Sequence, residues 1–127
     1  VDVTGDPMGD RDVRLETVPG VGEREVVMFV RRGRRHSLVV NDILANVRHP
    51  NGLGAHIMAR LLGFGVKRPQ MPRIGRRMFV EDSRMLAEAF RTWAVEPGLA
   101  RIIVSHGDVI DRDVQEALER VARDLDR

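Results

Sequence analysis

The chain of 127 residues contains no cysteine, a single lysine (Lys67) beside 20 arginines, and only four phenylalanines and one tryptophan. Each scarcity excludes something. Without cysteine there is no disulfide framework and no thiolate metal site, so any metal must be held by histidine and carboxylates. No apolar run approaches the roughly 18 residues a membrane helix needs. The opening Val1-Asp-Val-Thr-Gly-Asp6 lacks the basic-then-apolar order of a secretory signal, and a cytoplasmic location is expected. The few aromatics fall mostly on apolar stripes and offer no stacking platform for bases. The Arg31–Arg35 cluster and the Lys67–Arg77 loop have the charge to meet phosphates, but they read better as solvated tips, and nucleic acid is not an expected partner. Neither Gly52-Leu-Gly54 nor Gly63-Phe-Gly65 completes a phosphate-binding GxGxxG, so both are read as helix punctuation.

What is present reads as one globular domain. A hydrophobic fraction of 43% against 31% charged suits a chain that folds around its own core. The net charge is only +2 because acidic residues are interspersed, so the arginine skew reads as coding bias more than as a basic surface. A first residue of valine suggests either an unusual start or a piece of a longer chain.

Residues 1–11 form a polar, Gly/Pro-containing lead-in. Val13-Arg-Leu-Glu-Thr-Val18 alternates as a half-buried or edge strand does. After the turn Pro19-Gly-Val-Gly22, Glu25-Val-Val-Met-Phe-Val30 is nearly all apolar, as a strand covered on both faces would be. Gly33 turns a hairpin and Ser37–Val40 returns as a third strand. Leu53, Ile57, Met58, Leu61 and Leu62 recur at helical spacing. A second helix follows Glu81-Asp-Ser83 and turns Met85, Leu86, Ala89, Phe90 and Trp93 inward. Arg101–Val104 is the fourth strand, and Asp111 is expected to cap a last helix striped by Val114, Ala117, Leu118, Val121 and Leu125. The expected fold is α/β in the broad sense (α+β): a mixed sheet of about four strands flanked by helices, in the order β-β-β-α-α-β-α.

Two strand ends carry chemistry. Ile102-Ile-Val-Ser-His-Gly107 delivers an imidazole, His106, and Ser37-Leu-Val-Val-Asn-Asp42 delivers a carboxylate, Asp42. Strand ends are where α/β proteins assemble sites, and this pairing suits either a metal or acid–base work. Each residue also has a plainer role available. His106 can bond a backbone carbonyl, and Asp42 can cap a turn at Ile43 or bond Asn46. Asp108 can orient His106 or cap the last helix; His49 and His56 can ligate or sit in water. Glu23 and Glu25 follow the Pro19–Gly22 turn; one of them can coordinate a metal there, and a water-facing glutamate is the simpler reading.

In this order of elements, with Pro19-Gly20, Val39-Val-Asn-Asp42 and Ile102–Gly107, the chain resembles the C-terminal half of the metallo-β-lactamase-like αββα sandwich. The resemblance implies that Asp42 matches the family's metal-bridging aspartate and His106 the last metal-binding histidine, with Asn41 and Asp108 around them. It implies Zn or Fe as cofactor, a metal-bound water as nucleophile, and a small-molecule substrate of a hydrolase. It also implies that the turn histidine of the family is replaced by Val21, and that the His-x-His-x-Asp-His signature belongs to a half these residues do not include. Two ligands hold a divalent ion weakly, so the chain alone is expected to bind metal poorly and to be inactive. The alternatives are a non-catalytic remnant that binds or oligomerises, and an unrelated three-layer α/β domain. Strands apolar on both faces need cover on both, so the missing N-terminal half or a homodimer partner is expected.

Overall fold

A computed structural model describes residues 9–46, 69–71, 76–77 and 79–127. Four strands, β1 (Val13–Thr17), β2 (Val26–Arg32), β3 (Arg35–Asn46) and β4 (Leu99–Gly107), make one mixed sheet in the order β1-β2-β3-β4. The first three form an antiparallel meander and β4 lies parallel to β3. Between β3 and β4 comes helix α1 (Ser83–Ala94), and helix α2 (Val114–Leu125) ends the fold. This is the α+β architecture expected of the sequence, with a four-stranded mixed sheet flanked by helices. The helix expected near Leu53–Leu62, and with it His49 and His56, lies outside the described residues. Among the described residues no helix is long and apolar enough to cross a membrane.

Period-2 burial explains the sheet and 3.6-residue burial explains the helices. Val27 and Phe29 on β2, Leu38 and Val40 on β3, and Ile102 and Val104 on β4 point one way and are buried. Against them pack Leu86, Ala89, Phe90 and Trp93 of α1, and Val114, Leu118, Val121 and Leu125 of α2. Phe90, fully buried, meets Trp93 edge-to-face at 5.1 Å. Truncating such a ring to alanine costs about 3–5 kcal/mol.

The opposite sheet face is also apolar. Leu15, Met28, Val39 and Ile103 are cross-strand neighbours in one row across all four strands. The first three are only half-buried, and Ile103 is 37% exposed.

Turns place the site. Gly20 (φ +83°) lies so close to the start of α1 that an added Cβ would come within 2.4 Å of the Asp82 carbonyl oxygen. Its own carbonyl accepts from the Glu81 and Asp82 N–H groups (2.8 and 3.1 Å), which fastens the β1–β2 turn to the helix. Asp82, and not Ser83, is the N-cap of α1, its Oδ1 accepting from the Met85 N–H at 3.0 Å. Asp111 does not cap α2. The helix starts two residues later than that capping would require, with Asp113 in left-handed conformation (φ +49°) at the N-cap and no side-chain capping bond. The cause is local. The Ile110 N–H and C=O pair with Ile102, which holds the chain extended past the outer edge of β4 before it can turn.

Candidate functional site

Parallel pairing of β3 with β4 brings their C-terminal ends to the same side of the sheet, and there the two expected residues meet. The His106 Nε2–H donates to Asp42 Oδ1 at 2.8 Å. Each side chain is 48% exposed, so the pair is open to solvent. Continuing the ladder alone would not align them. Val40 pairs with Val104 and Ala45 with His106, so four residues, Asn41 to Leu44, face the single residue Ser105. Such an irregularity bends the longer strand and re-aims its side chains. β3 therefore runs on to Asn46, well past the Val40 at which an end was expected, and Asp42 sits inside that irregular stretch.

The surroundings fix both groups. Asn41, adjacent to Asp42, has its Oδ1 held by the Ser105 hydroxyl, and its Nδ2 reaches Asp42 Oδ2 at 3.5 Å. Glu25, at the start of β2, takes hydrogen bonds from the Asn41 side chain and from the Asp42 backbone N–H. Burial, with the Asp42 charge next, pushes the Glu25 carboxyl above its usual range, and those two hydrogen bonds only partly offset the rise. The sequence offers Glu25 as a turn glutamate or as a substitute ligand, without placing it beside Asp42. Its proximity to Asp42 is tertiary: Glu25 lies just before β2, whose antiparallel pairing with β3 runs as far as Met28↔Val39.

Past His106 the chain is locked from the core. Asn46, 1% exposed, donates from Nδ2 to the Asp108 carbonyl (2.9 Å), and its own carbonyl accepts from the Asp108 N–H (2.9 Å). Asp108 is thus tied through its backbone, and the carboxylate on His106 is that of Asp42. Gly107, with φ +116°, occupies a conformation that side-chain-bearing residues rarely adopt. Neither Asn46 nor its lock is visible as a motif. A single buried asparagine is found only when its surroundings are known.

The other positions compared with the metal-binding family do not converge. Val21 is fully buried in the core, packed beneath the turn, and offers no donor. Glu23 is exposed with φ +57°. The 2.8 Å separation is that of a direct Nε2–H···Oδ1 hydrogen bond; two donors sharing a tetrahedral ion at about 2.0–2.2 Å would stand about 3.4 Å apart. Among the described residues, no three His, Asp or Glu side chains are grouped to hold a metal ion.

A second titratable cluster lies at the other end of the strands, missed because its parts are 82 residues apart. Glu96 accepts from Arg14 Nη2 (3.1 Å) and meets His36 Nδ1 (3.0 Å), while the Arg14 guanidinium stacks over Phe29 at 4.4 Å. Burial by itself would raise the Glu96 carboxyl. The Arg14 and His36 hydrogen bonds and charges together outweigh it and hold the group below its usual range.

No family model matches the chain, and no curated protein matches it.

Proposed function

We propose that this chain carries part of a metallo-β-lactamase-like metal-dependent hydrolase site, with Asp42 and His106 as ligands of a divalent Zn or Fe ion. The observation that supports this reading is the 2.8 Å contact between His106 Nε2 and Asp42 Oδ1 at the ends of two parallel strands, half-open to solvent. Asp42 contributes charge and His106 a borderline-soft nitrogen, the donor set such ions prefer when no thiolate exists. Asn41, held by the Ser105 hydroxyl, reaches the Asp42 carboxylate, Glu25 accepts from the Asp42 backbone N–H, and Asn46 holds the turn after His106. When bound, the ion would bring water close to neutral acidity and so supply a hydroxide for hydrolysis of a small-molecule substrate. The remaining ligands would come from an N-terminal half of the fold seated on the open apolar face, so these residues alone bind metal weakly and do not turn over substrate.

The second reading is a non-catalytic remnant of the fold that binds or oligomerises. It is favoured by Val21, whose full burial leaves the family's turn position without a donor. A zinc titration followed by a metal indicator at equilibrium, without dialysis, separates the two. The hydrolase reading expects weak but saturable zinc binding by the wild-type chain that is lost in both Asp42→Ala and His106→Ala. Zinc binding equal in all three proteins rejects it.

A further inference from the structure

We propose that β1 is the self-association edge of this protein, pairing antiparallel with β1 of a second copy about a twofold axis at Leu15. The proposal does not depend on the metal site.

Of the two sheet edges, that of β4 is partly covered by Ile110, bonded to Ile102 in both directions (2.8 and 2.9 Å). β1 is the other edge, and no strand flanks its outer side among the described residues. The hydrogen-bond phase of that edge follows from the inner side. The Asp12 carbonyl accepts from the Arg31 N–H and the Val18 N–H donates to the Glu25 carbonyl, so even-numbered residues direct their backbone groups at β2. Leu15, lying between Arg14 and Glu16, directs its N–H and C=O outward. Outward-facing backbone groups at a sheet edge are a template for another strand.

The side chains are self-complementary in one register. With Leu15 opposite Leu15 of the second copy, Arg14 stands opposite Glu16 and Glu16 opposite Arg14, in the closer, non-hydrogen-bonded class of cross-strand pairs. A twofold axis makes each contact twice. Glu16 has reason to accept that partner. Among the described residues its Oε2 is buried without a hydrogen-bond donor, and its ion pair with Arg14 Nη2 of the same strand is long, at 3.8 Å. Beside the edge runs a groove between β1 and α1, lined by Glu16, Thr17, Met85, Glu88, Ala89 and Trp93. Met85 is 51% exposed there, although it stands on the helix that supplies much of the core. A second β1 would lay its Arg14 toward the two acids of this groove and its aliphatic stem against Met85. On the opposite face, the Leu15 pair would join the two apolar rows, each Leu15–Met28–Val39–Ile103, into one across the axis.

Sedimentation equilibrium of the whole chain over a wide concentration range tests this. A monomer–dimer equilibrium is expected that weakens as salt rises. Glu16→Gln should weaken it several-fold, and Glu16→Arg at least tenfold by opposing two pairs of arginines. Arg14→Glu should do the same by opposing two pairs of carboxylates. Mixing the Glu16→Arg and Arg14→Glu chains should restore a dimer, because both cross-strand pairs then join opposite charges. Amide exchange at Leu15 should slow as concentration rises. Near-UV circular dichroism checks that each variant is folded, and if Arg14→Glu is not, because Arg14 also holds Glu96, the graded effect of the two Glu16 variants decides. A monomer at every concentration, or a dimer equally strong with Glu16→Arg, overturns the proposal. So does a Leu15 amide whose exchange ignores concentration, as when the edge serves another partner.

Discussion

Separating the Asp42–His106 contact from any ion bound there begins with a double-mutant cycle. Asp42→Asn, His106→Gln and the double variant change the chemistry with little change of shape. Both side chains are 48% exposed, so the contact belongs with solvent-screened pairs and not with buried ones. A coupling of about 0.5–1 kcal/mol follows. For a domain of this length that corresponds to a shift of about 2–5 °C in melting temperature. Zinc should add to stability only if both groups hold it. At a free concentration ten times its dissociation constant, a ligand that binds only the folded state contributes RT ln 11, about 1.4 kcal/mol, or roughly a further 3–7 °C. The assay is thermal unfolding followed by circular dichroism at pH 7, with and without zinc, in all four proteins. The wild-type chain should gain from zinc, and each single variant should lose most of that gain. The double variant should lose no more than either single one, because one missing donor already breaks the site. A zinc shift that survives unchanged in Asp42→Asn and His106→Gln would mean that the ion sits elsewhere, and the argument from the strand ends would fail.

Glu25→Gln should stabilise the protein at pH 7 and leave it unchanged near pH 4. A carboxyl whose folded pKa is raised favours the fold fully below its unfolded value, and that advantage is lost as pH climbs through the folded one. Equal melting shifts at both pH values would contradict this. Glu96 has the opposite sign: its folded pKa is depressed, so its contribution is present above the unfolded value and is lost as pH falls through the folded one. Urea titrations of Glu96→Gln should show a shallower loss of stability on the acid side, and a slope identical to wild type would be evidence against the Arg14–Glu96–His36 cluster. Asn46→Ala removes a buried donor to the Asp108 carbonyl and should cost about 1–3 kcal/mol in urea unfolding. It should also broaden the His106 ring resonances, and a sharp, unshifted ring signal would show that the lock does not position the imidazole.

Some of this protein was legible in its sequence because the cause is local. Alternation in Val13–Val18 is enough for a strand, and the 86, 89, 90, 93 spacing is enough for the buried face of α1, although Met85, expected on that face, is 51% exposed. His106 and Asp42 were visible as residues ending apolar runs, because a strand-end polar group stands out against its neighbours. Their contact was not visible. It depends on β4 lying parallel to β3 and on the four-against-one irregularity opposite Ser105, and neither leaves a residue pattern. The true end of β3 was hidden for a related reason: Asn41 and Asp42 are poor strand formers by composition, and the ladder with β4 and the bridge from Ala45 to Gln70 keep the chain extended there. Asp111 failed as a cap because pairing of Ile110 with Ile102 competes for the same stretch of chain.

Sequence alone therefore determined the element types among the described residues, most of their buried faces and the absence of cysteine ligands, all of which follow from side-chain type and spacing along the chain. Tertiary structure decided which groups share a point in space: Glu25 beside Asp42, Asp42 against His106, and Glu96 between Arg14 and His36. The physical reason is that strand register and direction are set by packing between segments up to 82 residues apart, where one residue of slip would turn every one of these side chains to the other face.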